Sequence, residues 1–575
     1  MKLTNFVTKL HDLLMYGDFR GVIALSQGIS LEKLNEKERN EIFLYQSDAF
    51  SFVGDLPSFN GTLSRVHLDT NNDTKFHYHA CVAHHWFMQG DYTKFQKCIH
   101  EFEDSYQNLD HKDKRLNQLY FKVLSQYCNH IIFFMRNSDL ATKILSKMEE
   151  VSKKIKQDLT RSRLFLIYAW FDMLNNNHEK SFQHGQEALK IVEKNGSKYH
   201  LTNTYYFFGM HAKISGDVSG ELFYFEKGLK LAEEIEYQYM AFVLGMHMGN
   251  YYFERGNLKK SLDCLKKAIN IHEKIQNKWL YDFTMGIMGS IYYIQGEYKN
   301  ALEVYKTVLE NNEKISYDVG ILSSQLQIGK IYLELGDTET SEKYFLNAVE
   351  TVKSNSNFVV AGSYDLVFAF SDIIAFFMNQ EKADKAEEIY RLLEERGKNS
   401  QIEHVQDFLK YAKVSLLKTS KKFKEIVEAQ EILRKLLQED SNFNFEFKMY
   451  IRLTLCEFLL KELEFSEDED IWNEIEELIK SIDKLNKGQT SIFHVNILII
   501  KAQLAVISED FRQSIQFIDD ALKLSERMGF EAKLKQIHEQ KEDILTEQPS
   551  KITPKKMQSY IQDAMKYVNE WKSKN

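Results

Sequence analysis

The stretch MGNYYFERGNLKKSLDCLKKAI, from Met248 to Ile269, returns in outline 80 residues later as IGKIYLELGDTETSEKYFLNAV, from Ile328 to Val349. Each stretch has a glycine at its second position and another glycine seven residues later, followed by Asn or Asp. Related blocks begin at Gly209 and Gly289, so the same arrangement recurs every 40 residues. A pattern with this fixed period predicts an array in which one supersecondary unit is repeated.

The recurring positions predict a pair of antiparallel helices in each repeat. Sixteen residues after the first glycine stands a bulky residue, which suits close packing of a small position on one helix against a large one on the next. The second glycine stands where the first helix ends and is predicted to adopt a left-handed conformation. The Asp or Asn that follows can cap the second helix. The bulky residues are Phe225, Leu265, Tyr305 and Phe345.

The composition agrees with a chain that is helical almost throughout. It holds 3 prolines and 25 glycines in 575 residues, too few for the turns of a β-sandwich or the loops of an α/β enzyme. Disorder is not expected, because 43% of the residues are hydrophobic and 13% are aromatic. We therefore predict an all-α fold, a right-handed α-solenoid of about thirteen antiparallel helix pairs.

The repeat resembles the tetratricopeptide repeat, or TPR. The resemblance rests on Leu/Met-Gly-x-x-Tyr in the first helix, then Gly-Asp/Asn, then Ala/Ser-x-x-x-Phe/Tyr-x-x-Ala in the second, and it is specific over residues 157–356. The 40-residue period is longer than the usual ~34 residues. It is similar to the long repeats of kinesin light chains, Leu-Gly-Asn repeat proteins and peptide-pheromone receptors. The resemblance implies a concave groove lined by the first helix of each repeat.

We predict one continuous array with three parts. Residues 1–108 hold shorter repeats, whose turns are marked by Gly17, Gly54 and Gly90, each followed by Asp. Residues 109–356 hold the regular 40-residue repeats. Residues 357–575 hold divergent repeats, with helices at 402–418, 421–437, 445–463, 467–485 and within 492–524, and a capping helix at about 553–571. The breaks in register at 109–116 and 355–365 are predicted bends.

Charge and hydropathy exclude several classes of protein. The net charge of -9 argues against a nucleic-acid partner, which usually requires a basic face. The start of the chain has helical spacing rather than the apolar block of a signal peptide, and no apolar run approaches the ~20 residues of a membrane span. The five cysteines have wide spacings and form no CxxC motif, which is typical of reduced thiols. We predict a cytoplasmic location.

The sequence holds no phosphate-binding loop, dinucleotide fingerprint, GxSxG or HExxH motif, so we predict no enzyme, no cofactor and no metal. One cluster left an alternative open. His77, Cys81 and His84 share a helix face, where nitrogen and sulfur ligands could bind zinc. The structural interpretation, a small core cysteine among packed histidines, is the one we favour. A metal-dependent protein built on this cluster remains the third functional hypothesis.

The acidic run between Glu462 and Glu477 also has two interpretations. It contains no basic residue, so it could dock a basic partner. The structural interpretation is a capping box of Ser466 and Glu469, with acids favoured at the start of a helix. We favour the structural one.

The resemblance places candidate groove residues one and four positions after the repeat glycine. Aromatic and apolar side chains dominate these positions, as expected for anchoring an extended or helical segment, and the Asn among them could bind a peptide backbone as in Leu-Gly-Asn repeats. The first hypothesis is a non-catalytic adaptor or scaffold that binds a protein or peptide in the groove. The second is a peptide-sensing regulator. The candidates are Phe87, His130, Phe133, Trp170, Met173, Lys213, Asn250, Phe253, Tyr293 and Lys330.

Overall fold

The fold was obtained as a computed structural model of the chain. It describes residues 3–528 except 69–71, 108, 110, 136, 316, 355–363, 399–404, 421, 439–442, 464–467, 487–491 and 509, and it also describes Leu534 and Ile537. The predicted capping helix at 553–571 and most of the predicted bend at 355–365 lie outside the described residues.

The described residues form α-helices that follow one another in antiparallel pairs, with no strand among them. The all-α array predicted from the repeats is confirmed. The helices are α1 (Leu3–Tyr16), α2 (Phe19–Gln27), α3 (Glu36–Val53), α4 (Leu56–Leu63), α5 (Asn72–Met88), α6 (Tyr92–Gln107), α7 (Lys114–His130), α8 (Ser138–Ile155), α9 (Asp158–Leu174), α10 (His178–Asn195), α11 (Lys198–Ile214), α12 (Val218–Glu234), α13 (Gln238–Glu254), α14 (Leu258–Ile275), α15 (Lys278–Ile294), α16 (Tyr298–Ile315), α17 (Asp318–Glu334), α18 (Thr338–Ser354), α19 (Tyr364–Asn379), α20 (Ala383–Gly397), α21 (Val405–Leu417), α22 (Phe423–Gln438), α23 (Phe445–Leu463), α24 (Glu469–Asn486), α25 (Ile492–Ile507) and α26 (Phe511–Met528).

The helices divide into two compact units. Unit 1 comprises Met1–Tyr251 and Lys259–Thr284, and unit 2 comprises Tyr252–Leu258 and Met285–Asn575. The predicted limits at residues 108 and 356 concern the type of repeat and stay a prediction. No helix in the described part of the chain combines the length and the apolar character that a membrane span requires.

The repeat glycines hold the two helices of a pair close together. A Cβ atom on Gly209 would lie 2.3 Å from Cε1 of Phe225, and one on Gly329 would lie 2.6 Å from Cδ1 of Phe345. Only glycine fits at these contacts, since real Cβ atoms do not approach other atoms so closely. The second glycine ends the first helix in the left-handed region, with φ of 74° at Gly216. Both roles predicted from the spacing are confirmed.

Polar side chains complete the hairpins. The hydroxyl of Ser261, in α14, donates to the carbonyl of Gly249 in α13 at 2.7 Å, and Ser181 donates to Ala169 in the same way at 2.8 Å. In these two hairpins the small residue twelve positions after the repeat position is thus a serine that ties the second helix to the first. Asp217 caps α12, because its Oδ1 accepts the N–H of Gly220 at 2.9 Å.

In unit 1, the first helix pairs pack against helices about 180 residues later in the chain. A Cβ on Gly17 would lie 2.5 Å from Cβ of Tyr199. The side chain of Asn277, which is fully buried, donates to the carbonyl of Met88 at 2.8 Å. The amide of Gln89 donates to the carbonyl of Ile275 at 2.6 Å. The turns of the early hairpins are therefore tied to the ends of later helices.

Candidate functional site

The ten predicted groove residues do not share one environment. Four are partly exposed and six are buried, so the expectation that these positions face solvent is wrong for six of them. Other helices of the same unit cover them, a contact that a local repeat pattern does not show. Their part in binding a partner stays a prediction. The partly exposed residues are Phe87, Phe133, Lys213 and Asn250; the buried ones are His130, Trp170, Met173, Phe253, Tyr293 and Lys330.

In unit 2, Lys330 and Tyr293 belong to a buried ionic cluster. The ammonium group of Lys330 lies 3.0 Å from Oδ2 of Asp372 and 3.9 Å from Oε1 of Glu446. It also lies 5.2 Å and 5.8 Å from the ring centres of Tyr293 and Tyr450. Burial opposes the charge, but the carboxylates of Asp372 and Glu446 outweigh it and raise the pKa of Lys330. Helix α23, which carries Glu446 and Tyr450, thus covers this part of the predicted groove.

Unit 1 contains two series of contacting aromatic side chains, here together called the aromatic wall. Phe133 meets Trp170 at 4.9 Å between ring centres, and Trp170 meets Tyr206 at 5.4 Å. Tyr206 continues to His247 at 5.3 Å, and the two are joined by a contact of 3.2 Å between hydroxyl and Nε2. The wall comprises Phe87, Tyr92, His130, Phe133, Trp170, Tyr206, Tyr239 and His247; all but His130 and Trp170 are partly exposed.

A second hairpin contributes to the same wall. Tyr92, at the start of α6, stacks on His130 of α7 at 4.9 Å. Phe87, at the end of α5, lies 6.4 Å from Tyr239 of α13. The wall thus draws on helices from the short N-terminal repeats and from the regular repeats of unit 1. This arrangement creates an aromatic surface with side chains from several hairpins.

Sequence reasoning missed Tyr92, Tyr206, Tyr239 and His247. For Tyr206 a signal existed, because Tyr206, Met210 and Lys213 are spaced i, i+4 and i+7 and so lie on one face of α11. The predicted groove positions all follow the repeat glycine, whereas Tyr206 precedes Gly209. No local signal points to Tyr92, because its contacts are made by helices of other repeats.

The wall is electrically neutral at physiological pH. Burial raises the pKa of Tyr92, of Tyr206 and, to about 12, of Tyr239, with smaller contributions from neighbouring tyrosine hydroxyls at Tyr92 and Tyr206. Burial, assisted by the nearby charge of Lys213, lowers the pKa of His247 to about 3. Neutral rings with hydroxyl and imidazole groups suit a ligand that is partly apolar and partly hydrogen-bonding.

The histidines and the cysteine that are clustered in the sequence of α5 have different surroundings in the structure. His77 and Cys81 lie together, and their ligand atoms and a carboxylate oxygen of Asp48 are all within 4.8 Å of one another. His84 instead pairs through Nδ1 with the amide of Gln126 at 2.5 Å. His85 is also separate, stacked on Phe59 at 4.1 Å. The three residues singled out from the sequence therefore do not form one ligand set.

The acidic run is partly engaged within unit 2. Arg434 holds the carboxylate of Glu474 through two bonds of 2.8 Å. Gln430 donates to Glu462 at 2.8 Å. Asp468 accepts the N–H of Asp470 at 2.9 Å, so an acid caps the start of α24. These contacts support the expectation of acids at the start of this helix, but the cap is Asp468, two residues after the predicted Ser466, which lies outside the described residues.

Several solved structures resemble this chain at low similarity. The apo quorum sensor NprR from B. thuringiensis is 16% identical, with a TM-score of 0.44, over 63% of this chain and 97% of that one. NprR in complex with its cognate peptide NprX is 14% identical, with a TM-score of 0.45, over 63% and 99%. A signal transduction ATPase with a tetratricopeptide repeat sensor from Pyrococcus horikoshii is 15% identical, with a TM-score of 0.31, over 85% and 90%. Scores this low do not establish a common arrangement of helices.

A comparison with curated proteins finds no match. The family model of the tetratricopeptide repeat matches residues 239–314 and again residues 280–354. These matches include the repeat glycines at 249, 289 and 329. Residues 239–354 are therefore tetratricopeptide repeats, which confirms the family that the repeat resembles.

Proposed function

We propose that this protein is a non-catalytic binding protein and that the aromatic wall of unit 1 accepts a peptide or protein segment with apolar side chains. The observation that carries the proposal is the partial exposure of Phe133 and Tyr206 beside the buried indole of Trp170. Aromatic anchors of this kind dominate the energetics of protein interfaces. Lys213 and Asn250 supply polar groups on the same helices.

The proposal concerns the unit 1 part of the groove rather than its full predicted length. Phe133, Met210, Lys213 and Asn250 are partly exposed. In unit 2 the groove positions Tyr293 and Lys330 are buried, so a ligand there would have to displace packed groups. The proposal also includes a cytoplasmic location and no nucleic-acid partner, supported by five free cysteines and a net charge of -9.

The test is selection of binding peptides from a displayed library with the purified full chain. Phe133→Ala and Tyr206→Ala should each lower the affinity for the selected peptides at least tenfold, because each removes an aromatic side chain from the wall. Phe223→Ala is the matched control, since Phe223 is 49% exposed and lies outside the wall. Equal loss in the control, or no loss in either wall variant, would exclude the wall as the binding surface.

A peptide-sensing regulator is the second candidate. The contacts of Gly17 with Tyr199 and of Met88 with Asn277 are those that would have to change if unit 1 opened or tightened around a ligand. Small-angle scattering with and without a selected peptide separates the two candidates. A change in the radius of gyration on binding supports the regulator, and an unchanged radius supports the adaptor.

A further inference from the structure

We propose that Asp48, His77 and Cys81 form a binding site for a zinc ion inside unit 1. His77 and Cys81 are four residues apart in α5, so both side chains lie on one face of that helix. Asp48 comes from α3, which packs against α5. Their ligand atoms are all within 4.8 Å of one another. The proposal does not depend on peptide binding.

The donor set is one that zinc accepts. Imidazole nitrogen, thiolate sulfur and carboxylate oxygen all occur in tetrahedral zinc sites, with ligand atoms at about 2.0–2.3 Å from the metal. Ligand atoms around one zinc ion are therefore roughly 3–4 Å apart, which compares with an upper separation of 4.8 Å among these three. The three side chains leave one position of a tetrahedral site for a water molecule.

Two atoms of this group lack a hydrogen-bond partner although they are buried. Oδ1 of Asp48 and Nε2 of His77 have no hydrogen-bond partner among the described residues outside the group itself, in which the Cys81 thiol interacts with the Asp48 carboxyl. Asp48 is 1% exposed and His77 is 4% exposed. Buried polar atoms are nearly always satisfied, so unsatisfied atoms that converge on one point indicate a missing partner. A bound cation satisfies both atoms at once.

Lys122 defines how the carboxylate is used. Its ammonium group donates to Oδ2 of Asp48 at 3.0 Å and leaves Oδ1 for the metal. Ligating carboxylates commonly have their second oxygen held in this way. When zinc binds, the Cys81 thiol loses its proton to solvent, and the site changes from neutral to one net positive charge. The lysine thus orients the ligand and limits the affinity.

The site differs from the one suggested by sequence spacing. His84 was the third candidate ligand, but its Nδ1 is engaged by Gln126. Asp48 lies 29 residues before His77, in the preceding hairpin, and no motif connects the two. The third ligand is therefore the carboxylate of Asp48 rather than the imidazole of His84. Asp48 lies close to His77 and Cys81 only because α3 packs against α5.

The experiment measures zinc in the full chain purified after expression in zinc-supplemented medium. We expect about one zinc ion per chain in the wild type. The zinc content should be at least tenfold lower in Cys81→Ser and in His77→Gln. Cys98→Ser is the matched control, because Cys98 is half-buried and outside the group. Circular dichroism identifies a variant that fails to fold, and Cys81→Ser, which preserves size and a donor to Leu44, is the variant least affected.

A second readout uses cobalt in place of zinc. Thiolate-to-cobalt charge-transfer absorption should be present in the wild type and in Cys98→Ser, and absent in Cys81→Ser. Zinc content in the wild type as low as in Cys81→Ser overturns the proposal. So does zinc content that all variants share, because the metal is then held elsewhere, as an adventitious ion only.

Discussion

Replacing Gly209 with Ala tests whether close approach of paired helices stabilises the repeats. The new methyl group would lie 2.3 Å from Cε1 and 2.4 Å from Cδ1 of Phe225. The Phe225 ring cannot move aside easily, because it is fully buried and stacked on His247 at 5.4 Å. Overpacking of this kind costs about 1–3 kcal/mol. The higher helix propensity of alanine offsets about 0.5–1 kcal/mol of this cost, so a net destabilisation of about 0–2.5 kcal/mol remains.

Hydrogen exchange measured by mass spectrometry detects this change locally, which matters in a chain too long for two-state unfolding. Amides of α11 and α12 should exchange faster in the variant, by up to about 70-fold. Gly286→Ala is the matched control, since a Cβ at Gly286 meets nothing within 4 Å. That variant should be stabilised by about 0.5–1 kcal/mol. If Gly209→Ala also slows exchange, the steric argument is refuted.

Three further predictions concern buried polar groups. Burial lowers the pKa of His200 to about 3, below the usual 6.5, so neutral His200 contributes fully to stability above pH 6.5 and this stability is lost as the pH falls towards 3. At pH 5 the loss in the free energy of unfolding is about 2 kcal/mol. His200→Gln should therefore make urea unfolding, followed by circular dichroism, less sensitive to acid. Lys330→Met leaves the buried carboxylates of Asp372 and Glu446 without a nearby positive charge, and hydrogen exchange in unit 2 should show destabilisation of about 3–5 kcal/mol. The control is Lys353→Met, which breaks an exposed 2.8 Å ion pair with Glu388 and should destabilise the protein by about 0–1 kcal/mol. Asn277→Ala removes the cap on Leu280 and the bond to Met88, and exchange at the start of α15 should report a loss of about 2 kcal/mol, whereas unchanged exchange there would show that neither bond contributes.

The fold could be predicted because its determinants are local. Gly209 and Phe225 are only 16 residues apart, and a recurring glycine and ring at that spacing specify how one helix of a hairpin meets the next. The left-handed turn at Gly216 and the cap at Asp217 follow from the same segment. Each repeat contains this information, and repetition makes it recognisable.

The site could be predicted only in part because its determinants are distant. Lys330 was expected in a groove, but Glu446 and Tyr450, more than 110 residues later, enclose it. Likewise the repeat spacing gave Phe133 and Trp170, while Tyr92 comes from a different hairpin. The 40-residue period predicts which side of a helix makes no contact with the adjacent repeats. It contains no information on which later helix covers that side.

The ties between early turns and later helices determine when unit 1 can be completed during synthesis. The carbonyl of Met88 reaches its partner Asn277 only after 189 further residues have left the ribosome, and Gly17 must wait for Tyr199. Until then the first hairpins expose apolar side chains that the finished protein hides. Contacts so far apart in the chain slow folding and lengthen exposure to aggregation. The nascent amino-terminal hairpins are therefore the part of this protein with the greatest need for chaperones.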